Sequence, residues 1–210
     1  MGDINVYTGP MKCGKTQKIL DEARRQEIAG KNIKVFKPKI DDRFSREQLI
    51  SRNGNKASAI EIESIDEINK YNADVYVIDE FQFLKGDLKE IYDLAQKGKK
   101  FYIAGLNLTS ERKPFGHMGE LLCMSDNVQM LTAVCENCRN DNAIYTYYTG
   151  TSKKGDILVG EDCYIPLCRK CYEKLTNEKR LVDIYRIRGS PQRIFYRQTD
   201  LCGKKIRIGT

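Results

Sequence analysis

Gly9-Pro10-Met11-Lys12-Cys13-Gly14-Lys15-Thr16 fits the pattern GxxxxGK[ST] at every fixed position, and its flanks fit as well as its letters. Ile4 to Thr8 reads as a short apolar-rich strand. Thr16 onward reads as a helix with Ile19, Leu20, Ala23 and Ile28 along one side and Gly30 as its stop. A strand feeding a glycine-rich turn and then a helix aims several backbone N–H groups and a helix N-terminus at one point, where a triphosphate can sit. In such a loop Lys15 reaches the β- and γ-phosphates and Thr16 holds Mg²⁺, while Gly9, Pro10, Met11, Lys12, Cys13 and Gly14 supply backbone around the nucleotide.

A second half of the same site is expected at Val75-Tyr76-Val77-Ile78-Asp79-Glu80, an apolar strand ending in two carboxylates. Carboxylates at the C-terminal end of a buried parallel strand arrive beside the phosphate loop in a doubly wound sheet. Asp79 is placed to organise Mg²⁺. Glu80, one step further out, can take a proton from an attacking hydroxyl or polarise a water.

The chain carries eight cysteines in 210 residues, too few for a disulfide scaffold, and it opens Met-Gly-Asp with no apolar secretion signal, so a reducing compartment is expected. Four cysteines form two CxxC pairs, Cys135/Cys138 and Cys168/Cys171, with 29 residues between the inner members. That spacer is compatible with a hairpin between two knuckles. Four thiolates at tetrahedral distance suit Zn²⁺, and a closed four-ligand site leaves no position for substrate, so this zinc is read as structural. A redox CxxC is the competing reading; two pairs of matched spacing favour metal. Cys13, Cys123, Cys163 and Cys202 are single thiols.

At these residues the chain resembles the type II thymidine kinases, the zinc-containing family of bacterial and animal cytosolic enzymes. The resemblance covers roughly residues 4–175 and rests on GPMKCGKT, on Asp79-Glu80-Phe81-Gln82-Phe83, on Arg112-Lys113-Pro114-Phe115-Gly116, and on Leu131-Thr132-Ala133-Val134-Cys135-Glu136-Asn137-Cys138. It implies transfer of the ATP γ-phosphate to the 5′-hydroxyl of thymidine, and of deoxyuridine. Within it Glu80 matches the catalytic base, Arg43 the arginine that steadies the transferring phosphate, and Asp41 an acidic neighbour. Met11, Gln82, Phe83, Leu106 and Phe115 match the pocket for deoxyribose and base. Tyr164 and the segment from Ile157 through Val159 to Gly160 match a lasso-like loop closing over the thymine. The resemblance also implies a cytoplasmic homotetramer controlled by its end-product triphosphate. The chain departs from the family pattern at Ser110, at Tyr148 and in the single glycine of Val159-Gly160-Glu161, positions that bear on base selectivity and on the register of the lid.

The remaining sequence completes an α/β reading. Ile33 to Lys37 and Ala57 to Ile62 read as strands, and Ser64-Ile65-Asp66-Glu67 as a capping box opening a helix. Asp87 to Lys97 reads as a helix stopped by Gly98, and Phe101 to Leu106 as a further strand. Strand and helix in turn imply a doubly wound, mainly parallel sheet with a small zinc-ribbon module. The expected organisation is a P-loop nucleoside kinase core over 1–134, a zinc-binding lasso domain over 135–175 and a basic extension over 176–210. No apolar run approaches membrane length.

Of the net charge of +7, six units fall between Glu173 and Thr210, where ten lysines and arginines face four acidic residues. Aromatic and basic residues alternate there, in Tyr185-Arg186-Ile187-Arg188 and Arg193-Ile194-Phe195-Tyr196-Arg197. A solvated extension explains this better than a nucleic-acid arm, and nucleic acid is not an expected partner. The lone His117 reads as a loop residue. Two other readings of the motifs stay open: a P-loop ATPase with a zinc-ribbon nucleic-acid module, using Glu80 on water, and a nucleoside monophosphate kinase with a zinc lid.

Overall fold

In chain order the elements are β1 (Ile4–Thr8), α1 (Lys15–Ile28), β2 (Ile33–Pro38), β3 (Gln48–Ile50), β4 (Lys56–Ser58), β5 (Ile60–Ile62), β6 (Val75–Ile78), α2 (Lys89–Gln96), β7 (Lys100–Gly105), α3 (Met118–Met124), β8 (Asn127–Met130), β9 (Tyr145–Tyr148), β10 (Tyr164–Leu167) and α4 (Arg169–Arg188), with short 3₁₀ turns at Ile65–Lys70 and Phe81–Phe83. The computed structural model describes residues 2–40, 48–50, 56–150 and 163–188.

Six strands form one sheet in the order β5-β2-β6-β7-β1-β8, and every neighbouring pair is parallel. Parallel strands need crossovers, and the helices that supply them cover both faces. On one face α1 lays Ile19, Leu20 and Ala23 against Val35, Val75, Val77, Tyr102 and Ala104. On the other, Ile91 and Ala95 of α2 and Met118 and Leu121 of α3 pack on Ile4, Phe36, Tyr76, Phe101 and Ile103. All four residues of β6 are buried, as a central strand covered on both sides requires. Across this second face the rings of Phe36, Tyr76 and Phe101 stack in sequence over three strands, at centroid distances of 6.1 and 5.1 Å. Such pairs each add about 0.5–1.5 kcal/mol beyond the area they bury.

The α/β reading holds, with local corrections. Ile28 is 79% exposed and does not share the buried side of α1: at about 100° per residue it lies half a turn round from Ile19. Ala57 to Ile62 is not one strand. Ala59 interrupts it, so that β4 pairs antiparallel with β3 while β5 joins the edge of the main sheet. Ser64 opens a 3₁₀ turn rather than an α-helix. Glu67 Oε1 accepts from the Ser64 N–H at 3.3 Å, as a capping box requires, whereas the Ser64 hydroxyl turns to Asp66. Both long helices that were expected to stop at glycines do so, two residues before Gly30 and Gly98.

Beyond β8 the chain makes a separate antiparallel pair, β9 with β10, followed by α4. A third cluster of buried side chains, including Ala133, Cys135, Ala143, Leu167, Cys168, Cys171 and Tyr172, forms around it. α4 runs through residue 175 without interruption. Among the described residues no helix is long and apolar enough to cross a membrane.

Candidate active site

The phosphate loop leaves β1 at Thr8, whose hydroxyl donates to the Gly105 carbonyl of the neighbouring β7 at 2.9 Å. Gly9 turns at φ 145°, and a Cβ there would lie 2.3 Å from the Leu131 carbonyl oxygen, so only glycine lets the loop pass this close to the strand beside it. Lys15 is 7% exposed, and its ammonium donates to the carbonyls of Pro10 (2.7 Å) and Gly9 (3.2 Å). The loop's own backbone thus satisfies the buried cation.

At the end of β6 Asp79 is 2% exposed, and its Oδ2 accepts from the Thr16 hydroxyl at 2.7 Å. This bond crosses β7. The pairing of Ile78 with Ile103 puts Ala104 level with Asp79. The other Asp79 oxygen accepts from the Glu80 N–H at 3.0 Å, and Glu80 stands at φ 48° in the left-handed region. A non-glycine residue in that region costs on the order of 1–3 kcal/mol, a strain that concentrates where a side chain must be aimed.

Gln82, 4% exposed, ties three pieces of the site together. Its amide nitrogen donates to Glu80 Oε2, and its oxygen accepts from the Leu106 N–H at 2.9 Å. Phe83 and Phe115 meet edge-to-face at 5.4 Å, and a Cβ on Gly116, at φ 52°, would lie 2.3 Å from the Gln82 carbonyl oxygen. Glu80, Gln82, Phe83, Leu106 and Phe115 are therefore brought together, next to the phosphate loop. Met11 is joined to a different element, its N–H donating to Thr146 Oγ1 of β9 at 3.0 Å. Tyr164 starts β10, with its ring 5.2 Å from that of Tyr148 across the hairpin. Burial, and to a lesser degree Tyr148 and Cys163, raise its phenol above the ordinary value. Arg43, Asp41, Ile157, Val159 and Gly160 lie outside the described residues.

The sulfurs of Cys135, Cys138, Cys168 and Cys171 all lie within 4.8 Å of one another, and this is a group that can hold a metal ion. Four thiolates around an ion at about 2.3 Å would sit about 3.8 Å apart. Cys138 and Cys168 are 3.7 Å apart, which fits. Burial pushes the Cys135 thiol up, but backbone donors from Cys138, Cys168 and Asn137 outweigh it and bring the group down to about 6. At Cys171 the Asn137 side-chain amide pulls the thiol down, yet burial and the three cysteines around it leave it raised to about 12. Crowded sulfurs oppose one another's ionisation, and a cation at their centre removes that opposition.

Several residues to which the motifs assign no contact of this kind complete the arrangement. Thr146 is a buried polar residue that receives Met11. Glu136, between the first two cysteines, is 2.7 Å from the Lys12 ammonium. The guanidinium of Arg112 lies 5.0 Å from the Tyr172 ring centroid and 5.8 Å from that of Tyr145, while the Tyr172 hydroxyl donates to the Ser110 carbonyl. The Arg112 and Ser110 contacts dock the loop before Phe115, closed by an antiparallel bridge between Leu108 and Pro114, onto the cysteine-bearing module. Only Thr146 had a local signal, a small hydroxyl in a run of tyrosines; the others needed partners distant in sequence.

Fold and site define a class, the P-loop nucleotide-binding proteins, in which a parallel sheet delivers phosphate-binding amides and a strand-end acid to one edge. A family profile described as thymidine kinase matches residues 2–172. A thymidine kinase of Mycoplasma mobile is 36% identical over 186 residues, covering 87% of this chain and 92% of the relative. The chain belongs to the thymidine kinase family.

Proposed function

We propose that the protein transfers the γ-phosphate of ATP to the 5′-hydroxyl of thymidine, and of deoxyuridine. The observation that carries this reading is the 2.7 Å bond from Thr16 to Asp79 with Glu80 beside it, which joins the phosphate loop and two strand-end carboxylates in one place. Lys15 and the backbone amides of residues 12–16 bind the triphosphate. Thr16 and Asp79 are the residues to hold Mg²⁺, which when bound neutralises charge on the phosphates. Glu80, held by Gln82, accepts the proton of the attacking hydroxyl, and Arg43 steadies the transferring group. Phe83, Phe115, Leu106 and Met11 supply the apolar walls for the nucleoside. Tyr164 and the segment through Ile157, Val159 and Gly160 close over the base. Family membership disfavours the nucleic-acid-dependent ATPase reading.

The cysteine centre is assigned to a structural Zn²⁺, because all four ligand positions are cysteine sulfur, the donor set of closed structural zinc sites. We assign residues 1–134 to the kinase core, 135–175 to the zinc-bearing lasso and 176–210 to a basic extension. A homotetramer in the cytoplasm is the assembly and location we infer; cysteines spaced as two CxxC pairs for a metal rather than as a disulfide scaffold suit a reducing compartment.

The direct test is ATP-dependent phosphorylation of thymidine, deoxyuridine, deoxycytidine and deoxyguanosine under identical Mg²⁺. Burying the thymine methyl favours thymidine over deoxyuridine by about 1–3 kcal/mol at most. Deoxycytidine is rejected more strongly, because a lid that hydrogen-bonds the O4/N3–H edge meets reversed donors and acceptors on cytosine and leaves its own groups unpaired. If deoxycytidine or deoxyguanosine gives the higher kcat/KM, the named acceptor is wrong.

The part of the basic extension beyond α4, residues 189–210, is tested by truncation. Because α4 continues to Arg188 and the Leu175 carbonyl accepts from the Tyr147 hydroxyl at 3.5 Å, the stop belongs after Arg188 rather than at 175. A chain ending there keeps its kinase activity. A folded but inactive truncation would make the tail part of the site or of the oligomer.

A further inference from the structure

Three consecutive residues of the phosphate loop are met from outside by the cysteine-bearing module. The Met11 N–H donates to Thr146 Oγ1 at 3.0 Å, the Lys12 ammonium lies 2.7 Å from Glu136 Oε1, and Cys13 packs against the buried cluster that contains three of the four clustered cysteines. Lys12 itself sits at φ 64°, a conformation rarely adopted without glycine, so the loop's shape benefits from an external hold. Both acceptors belong to one unit. Thr146 stands opposite Pro166 in the β9–β10 pair, and the Glu136 N–H donates to the Pro166 carbonyl at 3.0 Å. Glu136 also lies between Cys135 and Cys138, so a metal that organises those cysteines organises it too.

A phosphate loop binds by converging amides, and ordering them costs conformational entropy if the loop is loose before the nucleotide arrives. We propose that Glu136 and Thr146 are positioning residues of the phosphate loop, through which the four-cysteine centre sets the affinity for ATP. The metal centre then serves both substrates: it tethers the segment expected over the nucleoside, and it clamps the loop that binds the phosphates. This rests on the ATP-dependent reading given above.

The test measures Mg·ATP binding by calorimetry, metal content, and amide hydrogen exchange of residues 9–16 in the nucleotide-free protein. Thr146→Val is expected to weaken ATP about tenfold, the weight of one hydrogen bond to a partly buried amide, while Thr146→Ser keeps it within about twofold. Glu136→Gln is expected to weaken ATP about two- to fivefold, the scale of a partly exposed ion pair. In a Lys12→Met background Glu136→Gln should add nothing, since its route runs through Lys12. Loop exchange should quicken in both Thr146→Val and Glu136→Gln with metal content unchanged. Wild-type ATP affinity and exchange in both variants would overturn the proposal. So would an equal further loss on the Lys12→Met background, or a loss that appears only when metal is lost. Tighter ATP binding by Glu136→Gln would overturn it too, making Glu136 a competitor of the phosphates for Lys12. A wild-type protein that binds no ATP would instead sink the kinase reading, and the exchange of residues 9–16 would still decide whether the clamp exists.

Discussion

Replacing Glu80 by Gln is expected to lower kcat about 10²–10⁴-fold, the usual worth of a positioned general base, with little change in ATP affinity. The substitution keeps the size of the side chain, and its carbonyl oxygen can still accept from the Gln82 amide, so the geometry around Leu106 survives. What is lost is the proton acceptor. Glu80→Asp draws the carboxylate back by one methylene from a backbone already in the left-handed region and should fall between the two. Single-turnover phosphorylation combined with equilibrium ATP binding separates chemistry from affinity. Near-normal turnover in Glu80→Gln would move the role of base to another group.

The second large effect belongs to the metal. Purified protein, prepared without chelator, should carry one zinc per chain, and Cys168→Ser should lose it. Cys168 is 6% exposed and sits where β10 passes into α4, one helical turn from Cys171, so its loss releases both ends of the hairpin module at once. In small zinc domains metal binding contributes on the order of 10 kcal/mol or more to folding. The module should therefore loosen while the main sheet, with separate buried clusters on its two faces, still melts cooperatively. Thymidine binding should be lost in the variant that retains a folded core. Metal analysis that finds no zinc in fresh wild-type protein would end the assignment.

The motifs were legible in the sequence because each is a local rule. A phosphate loop is written in the φ angles that Gly9 and Gly14 must adopt and in the lysine and threonine that follow them. A buried parallel strand is written in the unbroken apolar run from Val75 to Ile78, and its carboxylates follow directly. Two CxxC pairs specify four thiols whatever path joins them, and the structure does gather these four. Short elements without clear period were not legible. α3 spans only Met118–Met124, and all four residues of β8 are exposed, so neither carries a buried alternation to read. Nor does any local pattern tell that Ala59 sends β4 and β5 to different sheets, because that depends on which distant strand offers an edge.

By itself, then, the amino-acid sequence determined the parts: a phosphate-loop motif, an acid to pair with it, four sulfurs able to hold a metal ion and a parallel sheet to carry them. Only the tertiary structure decided how these parts hold one another. Asp79 reaches Thr16 at the start of α1, Gln82 links Glu80 to Leu106, and Thr146 and Glu136 meet the phosphate loop from a module more than a hundred residues downstream. Such contacts join residues whose separation along the chain has no period and no motif. They exist because packing the sheet, its helices and the cysteine module brings particular polar atoms within bonding distance, and buried polar atoms must find partners.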